Sequence, residues 1–94
     1  MKNIYINKIR KKLDKIDIKL LDTIKQRSLL VDKILKLKKN KNEVIDQKRI
    51  NFILKKIKKY SKRNKIDPNI TVNIWKTMIK SFIDYEFKKF KKKK

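Results

Sequence analysis

Six charged residues interrupt helical stripes that are otherwise apolar: Arg10, Arg27, Lys38, Asp46, Arg49 and Glu86. Four are cations and two are carboxylates, so the set carries more positive charge than it can neutralise internally. Burying an unpaired cation is costly, and each surplus cation therefore calls for an external anion. A guanidinium grips a carboxylate with a planar two-pronged fork, whereas a lysine ammonium acts as a movable point charge. A helical interior that offers both suits a small dianion. A simpler account covers part of the set. Asp46 and Arg49 lie one turn apart and can form an ordinary intrahelical ion pair, while Arg10 and Lys38 can cap the ends of a stripe or snorkel to water. Arg27 resists that account, because Ile24 and Val31 flank it on the same stripe.

Three helices are expected to position these residues. Arg10, Leu13, Ile16, Leu20, Ile24, Arg27, Val31, Ile34 and Lys38 follow one another at steps of three and four, which places them on one face of a single helix running to about residue 39. Its apolar middle is expected to be buried. Residues 39–43 (KNKNE) form a polar break. A second helix is expected from about Ile45 to Lys62, with Asp46, Arg49, Ile53, Ile57 and Tyr60 on one face and Phe52 and Leu54 widening its apolar side. A second break (61–69) ends in Asp67, a suitable N-cap, and Pro68, a residue that fits a first helical turn. The third helix is expected to reach about Phe90, with Trp75, Met78, Ile79, Phe82, Ile83 and Glu86 on its stripe; the basic tail, about 88–94, is expected to be frayed and solvated.

The fold class is therefore all-α, one long and two shorter helices in a single domain spanning 1–94. The first helix is about 50 Å long at 1.5 Å per residue, more than the two shorter helices can cover. A second copy packed along it, most simply with twofold symmetry, would bury the remainder. Arg27 and Lys38 lie about 16 Å apart along the helix and can converge on one small ligand; Arg10 is about 25 Å from Arg27, too far unless a partner chain supplies it.

Composition narrows the chemistry. The chain has no Gly, Cys or His and a single Pro, so disulfides, most transition-metal sites and Cys- or His-based catalysis are excluded. No apolar run has the length of a signal peptide or a membrane span, which makes a cytoplasmic protein the expectation. The net charge of +22 invites a nucleic-acid reading. Yet 27 of the 31 basic residues are Lys, spread over every element, which fits a compositional bias and at most non-specific nucleic-acid binding. Against that background the four arginines, Arg10, Arg27, Arg49 and Arg63, are informative, because Lys cannot reproduce a bidentate contact.

These residues match a family pattern. Ile9-Arg10, then LDKIDIKLLDTIKQR ending in Arg27, then Lys38, then VIDQKR with Asp46 and Arg49, then IDPN opening the last helix, resemble the all-helical (type II) chorismate mutases over about residues 4–90. The resemblance implies an intertwined homodimer of three-helix subunits that rearranges chorismate to prephenate, in the shikimate pathway leading to Phe and Tyr, with no cofactor and no metal. It implies that Arg27 and Arg10 of the partner subunit bind the substrate carboxylates. It also implies that Lys38 bonds the breaking ether oxygen and a carboxylate, and that Asp46 and Arg49 order the edge of the site. Glu86 stands where a second donor to the ether oxygen is found, Gln in many bacterial members and Glu in fungal ones.

Two positions depart from the pattern. Ile50 stands where many members place a Glu that touches the substrate hydroxyl, and Phe82 stands where some have a small polar residue. Isochorismate pyruvate lyase shares the scaffold and also lacks that Glu, so it is the alternative enzyme. A basic helical module that binds nucleic acid, without catalysis, is the alternative from another class.

Overall fold

The computed structural model describes residues 2–93, of which 91–93 are described by their backbone alone. Helix α1 spans Lys2–Leu37, α2 spans Gln47–Arg63 and α3 spans Pro68–Lys93, with one short 3-10 turn, Lys41–Glu43, between α1 and α2. No strand occurs among the described residues. The chain divides into two units, Met1–Lys33 and Ile34–Lys94.

The first unit is a helix throughout its described length, 2–33. Its aliphatic hydroxyls turn back on the preceding turn: Thr23 donates to the Lys19 carbonyl and Ser28 to the Ile24 carbonyl, both at 3.0 Å. The stripe read from the sequence is helical as expected, but its apolar middle is uncovered in the single chain. Leu13, Ile16 and Leu20 are 52%, 57% and 55% exposed, whereas Ile24, Arg27 and Val31 are half-buried. A single helix has no second face to bury them against. Arg10 is exposed.

The second unit is built on α2 packed against α3. Leu35, Val44, Ile79 and Phe90 form its buried apolar core. Ser61 is buried with them, and its hydroxyl bonds the Ile57 carbonyl and the Thr71 hydroxyl, each at 2.6 Å, which joins α2 to α3 without leaving a polar atom unsatisfied.

A chain without glycine must end its helices by other means. After Arg63 the Ile66 N–H reaches back to the Ser61 carbonyl at 2.9 Å and the Lys65 N–H to the Lys62 carbonyl at 3.3 Å. That pair of bonds is the glycine-type C-terminal motif, and Lys65 occupies its left-handed position with φ 58. The Asn64 amide adds a bond to the Tyr60 carbonyl at 2.8 Å. Helix α3 then starts as expected: the Asp67 carboxylate accepts from the Asn69 N–H at 2.9 Å, and Pro68 opens the first turn where its missing N–H costs nothing.

Two helix ends differ from the sequence expectation. Helix α1 stops at Leu37, so Lys38 lies just beyond the helix and not on its stripe. Helix α3 continues three residues past Phe90, whose burial at 5% gives the last turns an anchor. Lys94 and the side chains of residues 91–93, the end of the basic tail, lie outside the described residues.

Candidate active site

Lys38 and Glu86 meet. The Lys38 ammonium donates to Glu86 Oε1 at 3.1 Å, and the two side chains are only 18% and 9% exposed. Glu86 is one of two buried polar residues among the described residues and sits on α3 among Phe82, Ile83 and Phe90 in the sequence stripe. An ion pair so largely removed from water must be held in good geometry to offset its desolvation cost.

The loop after α1 supplies that geometry. The Lys38 N–H bonds the Leu35 carbonyl at 3.2 Å, and the neighbouring Lys39 N–H donates to the Glu43 carboxylate at 3.0 Å. The Glu43 and Val44 N–H groups close the 3-10 turn onto the carbonyls of Asn40 and Lys41, both at 3.1 Å. Buried Leu35 and Val44 fix the two sides of the segment that carries Lys38. The polar sequence KNKNE therefore forms a tied turn directly after Lys38, whose ammonium reaches α3.

Asp46 and Arg49 are arranged differently from the ion pair considered above. Asp46 is the N-cap of α2, and its carboxylate accepts from the backbone N–H of Arg49 at 3.1 Å. The first-turn N–H groups of a helix need acceptors, and a capping Asp satisfies one of them. The Arg49 guanidinium is left to lie over the Phe52 ring, 5.5 Å from its centroid. Both residues are exposed at the start of α2, and Ile50 beside them is half-buried. Arg10 and Arg27 belong to the first unit, where Arg27 is half-buried.

Chemically, the second unit offers a preorganised pair of potential donors. The ammonium has three donor protons, and Glu86 accepts from it. Glu86 accepts while ionised and can donate only when protonated. Sequence reasoning placed both residues at the site but not against each other. Lys38 and Glu86 are 48 positions apart, and two signals joined them in the sequence: the shared interruption of apolar stripes, and a family resemblance that sets both beside one ether oxygen.

Comparison with known proteins gives the arrangement a family. The family model for chorismate mutase type II matches residues 9–87, which takes in Arg10, Arg27, Lys38, Asp46, Arg49 and Glu86. A chorismate mutase of Methanocaldococcus jannaschii is 35% identical over 72 residues, covering 76% of this chain and 73% of the relative. No solved structure matches at comparable significance. Neither the lyase nor a non-catalytic nucleic-acid module is favoured by these likenesses. The chain belongs to the type II chorismate mutase family.

Proposed function

We propose that this enzyme rearranges chorismate to prephenate with Lys38 and Glu86 as the donors that stabilise charge developing on the breaking ether oxygen. The observation that carries the reading is the Lys38–Glu86 contact at 3.1 Å in a largely dry setting. The reaction is intramolecular and needs no nucleophile. Its barrier falls when the substrate is held in the compact conformer with its reacting ends together, and when preorganised donors meet the oxygen as its bond breaks. Low exposure strengthens that second effect, because water no longer screens the ammonium.

The substrate is a dianion, and the arginines suit its carboxylates. Arg27 takes one of them, and Arg10 of the partner subunit reaches the same ligand. Asp46 and Arg49 order the site's edge; for Asp46 this is an indirect role, since capping α2 places the Arg49 backbone. The chain acts as a single domain within a homodimer, and the family match runs without a break through both units. The dimer is supported by the first unit itself: α1 is 36 residues long, and Ile4, Ile9, Leu13, Ile16 and Leu20 are all more than half exposed. Apolar surface on that scale is what a second copy would bury, at roughly 25 cal/mol for each Å² removed from water. No helix among the described residues is long and apolar enough to cross a membrane. A cytoplasmic location is part of the proposal and agrees with a biosynthetic role.

The test is a product assay. Purified protein is incubated separately with chorismate and with isochorismate. Prephenate from the first, with no pyruvate from the second, supports the mutase. Pyruvate and salicylate from isochorismate, with chorismate untouched, would refute it.

A further inference from the structure

Arg63 is the one arginine that the active-site reading does not use, and it ends a ladder along α2. The Arg49 guanidinium lies 5.5 Å from the Phe52 ring centroid, and the Lys56 ammonium lies 5.9 Å from Phe52 and 5.6 Å from Tyr60. The Arg63 guanidinium lies 5.7 Å from Tyr60. The order is cation, ring, cation, ring, cation, at steps of three or four residues along one side of the helix. Both rings are open to water, at 55% for Phe52 and 45% for Tyr60.

Compositional bias does not account for this face. A bias toward Lys acts on every element, yet α1 retains Asp14, Asp17, Asp22 and Asp32, and α3 retains Asp84 and Glu86. Helix α2 has eight basic residues and no acidic one within Gln47–Arg63. Nor does packing explain the rings. The side of α2 that includes Ile50, Ile53, Leu54, Ile57 and Ser61 is buried or half-buried, while Phe52 and Tyr60 remain outside it. Two large aromatic side chains exposed among cations, on a helix whose core side is already occupied, are placed for an external partner.

We propose that the outer face of α2 binds single-stranded nucleic acid, with bases stacking on Phe52 and Tyr60 and phosphates neutralised by Lys56, Arg63 and their basic neighbours. Charge complementarity requires a polyanion. The rings select among polyanions: an unpaired base has a π-face for an aromatic ring or a guanidinium, and a duplex hides that face. A bilayer fits less well. An interfacial helix needs a broad apolar side to insert, and that side of α2 is the one already half-buried within the protein. Phe52 and Tyr60 are eight residues apart, about 12 Å along the helix, which lets two bases of one strand be engaged together. The surface is additional to catalysis and does not depend on it.

The probes are a short fluorescein-labelled oligouridylate, a duplex RNA of the same length and phosphatidylserine-containing vesicles, each titrated with the full chain at several salt concentrations. The parent protein is expected to bind the single strand more tightly than the duplex. Phe52→Leu/Tyr60→Leu keeps the net charge and is expected to weaken single-strand binding about tenfold or more, with duplex binding and the slope of affinity against salt unchanged. Tyr60→Leu alone, with its helix content checked by circular dichroism, is expected to lose part of the same affinity. Equal single-strand affinity for parent and double variant would overturn the proposal, because charge alone would then explain binding. A loss confined to the vesicles would overturn it as well and assign the face to a lipid surface.

Discussion

The Lys38 ammonium bonds Glu86 Oε1 at 3.1 Å, across 48 positions of sequence and within one structural unit. The contact joins the segment that follows α1 to the C-terminal half of α3. It keeps a cation and a carboxylate in a setting where neither could stay without the other, since removing one member of a largely buried pair leaves an uncompensated charge. The same two residues are the ones proposed to act at the reacting oxygen. The contact holds the ammonium and the carboxylate in register, with Glu86 as the acceptor.

One substitution separates two roles for Glu86. A carboxyl donates a hydrogen bond only when protonated, whereas an amide carries a permanent donor. Glu86→Gln has nearly the same shape, so if residue 86 donates to the ether oxygen its turnover number is expected to match or exceed the parent's. A turnover number reduced about tenfold or more, with helix content retained, would leave Glu86 as the acceptor partner of Lys38 only.

A site shared between subunits, as proposed, predicts complementation. Arg10→Ala and Lys38→Ala proteins are each expected to be nearly inactive. When they are mixed in equal amounts and allowed to exchange, half of the dimers are mixed, and each mixed dimer has one intact site and one doubly damaged site. Activity is then expected to recover to about a quarter of the parent value, given random pairing in a symmetric dimer. Exchange is verified by mass spectrometry. Complete exchange without recovery would mean that each site is built from one chain.

Much of this architecture was legible in the sequence. Asp67-Pro68 marked the start of α3 through the two residues best suited to a helix entrance, and KNKNE marked the break after α1. The helical stripes were legible because apolar residues recur at steps of three and four. What periodicity does not encode is which interrupting charge meets which. Asp46 and Arg49 lie one turn apart and suggested an ion pair, but a carboxylate at a helix entrance has a nearer acceptor task at the backbone N–H. Tyr60 was read onto the apolar face with Ile53 and Ile57, whereas it lies outward between Lys56 and Arg63. The left-handed turn at Lys65 was also hidden, since the usual glycine marker is absent.

That turn supports a stability prediction. A side chain with a Cβ in the left-handed region costs roughly 1–2 kcal/mol, partly offset when Gly replaces it by the greater freedom of Gly in the unfolded chain. Lys65→Gly is expected to raise stability by up to about 1 kcal/mol, read as a higher urea midpoint with an unchanged slope. A lowered midpoint would mean that the Lys65 side chain contributes more than its backbone strain costs.

Lys38 is proposed to act on the reacting oxygen as a compact, oriented ammonium. Lys38→Arg keeps the positive charge and a partner for Glu86, so the fold is not put at risk, but it replaces a compact donor by a longer planar one. The decisive measurement is the turnover number of this variant with saturating chorismate. A fall of about a hundredfold or more, with helix content retained, is predicted from the sensitivity of oriented electrostatic catalysis to small displacements. A turnover number within a few-fold of the parent would mean that the Lys38 ammonium is not the group that acts on that oxygen.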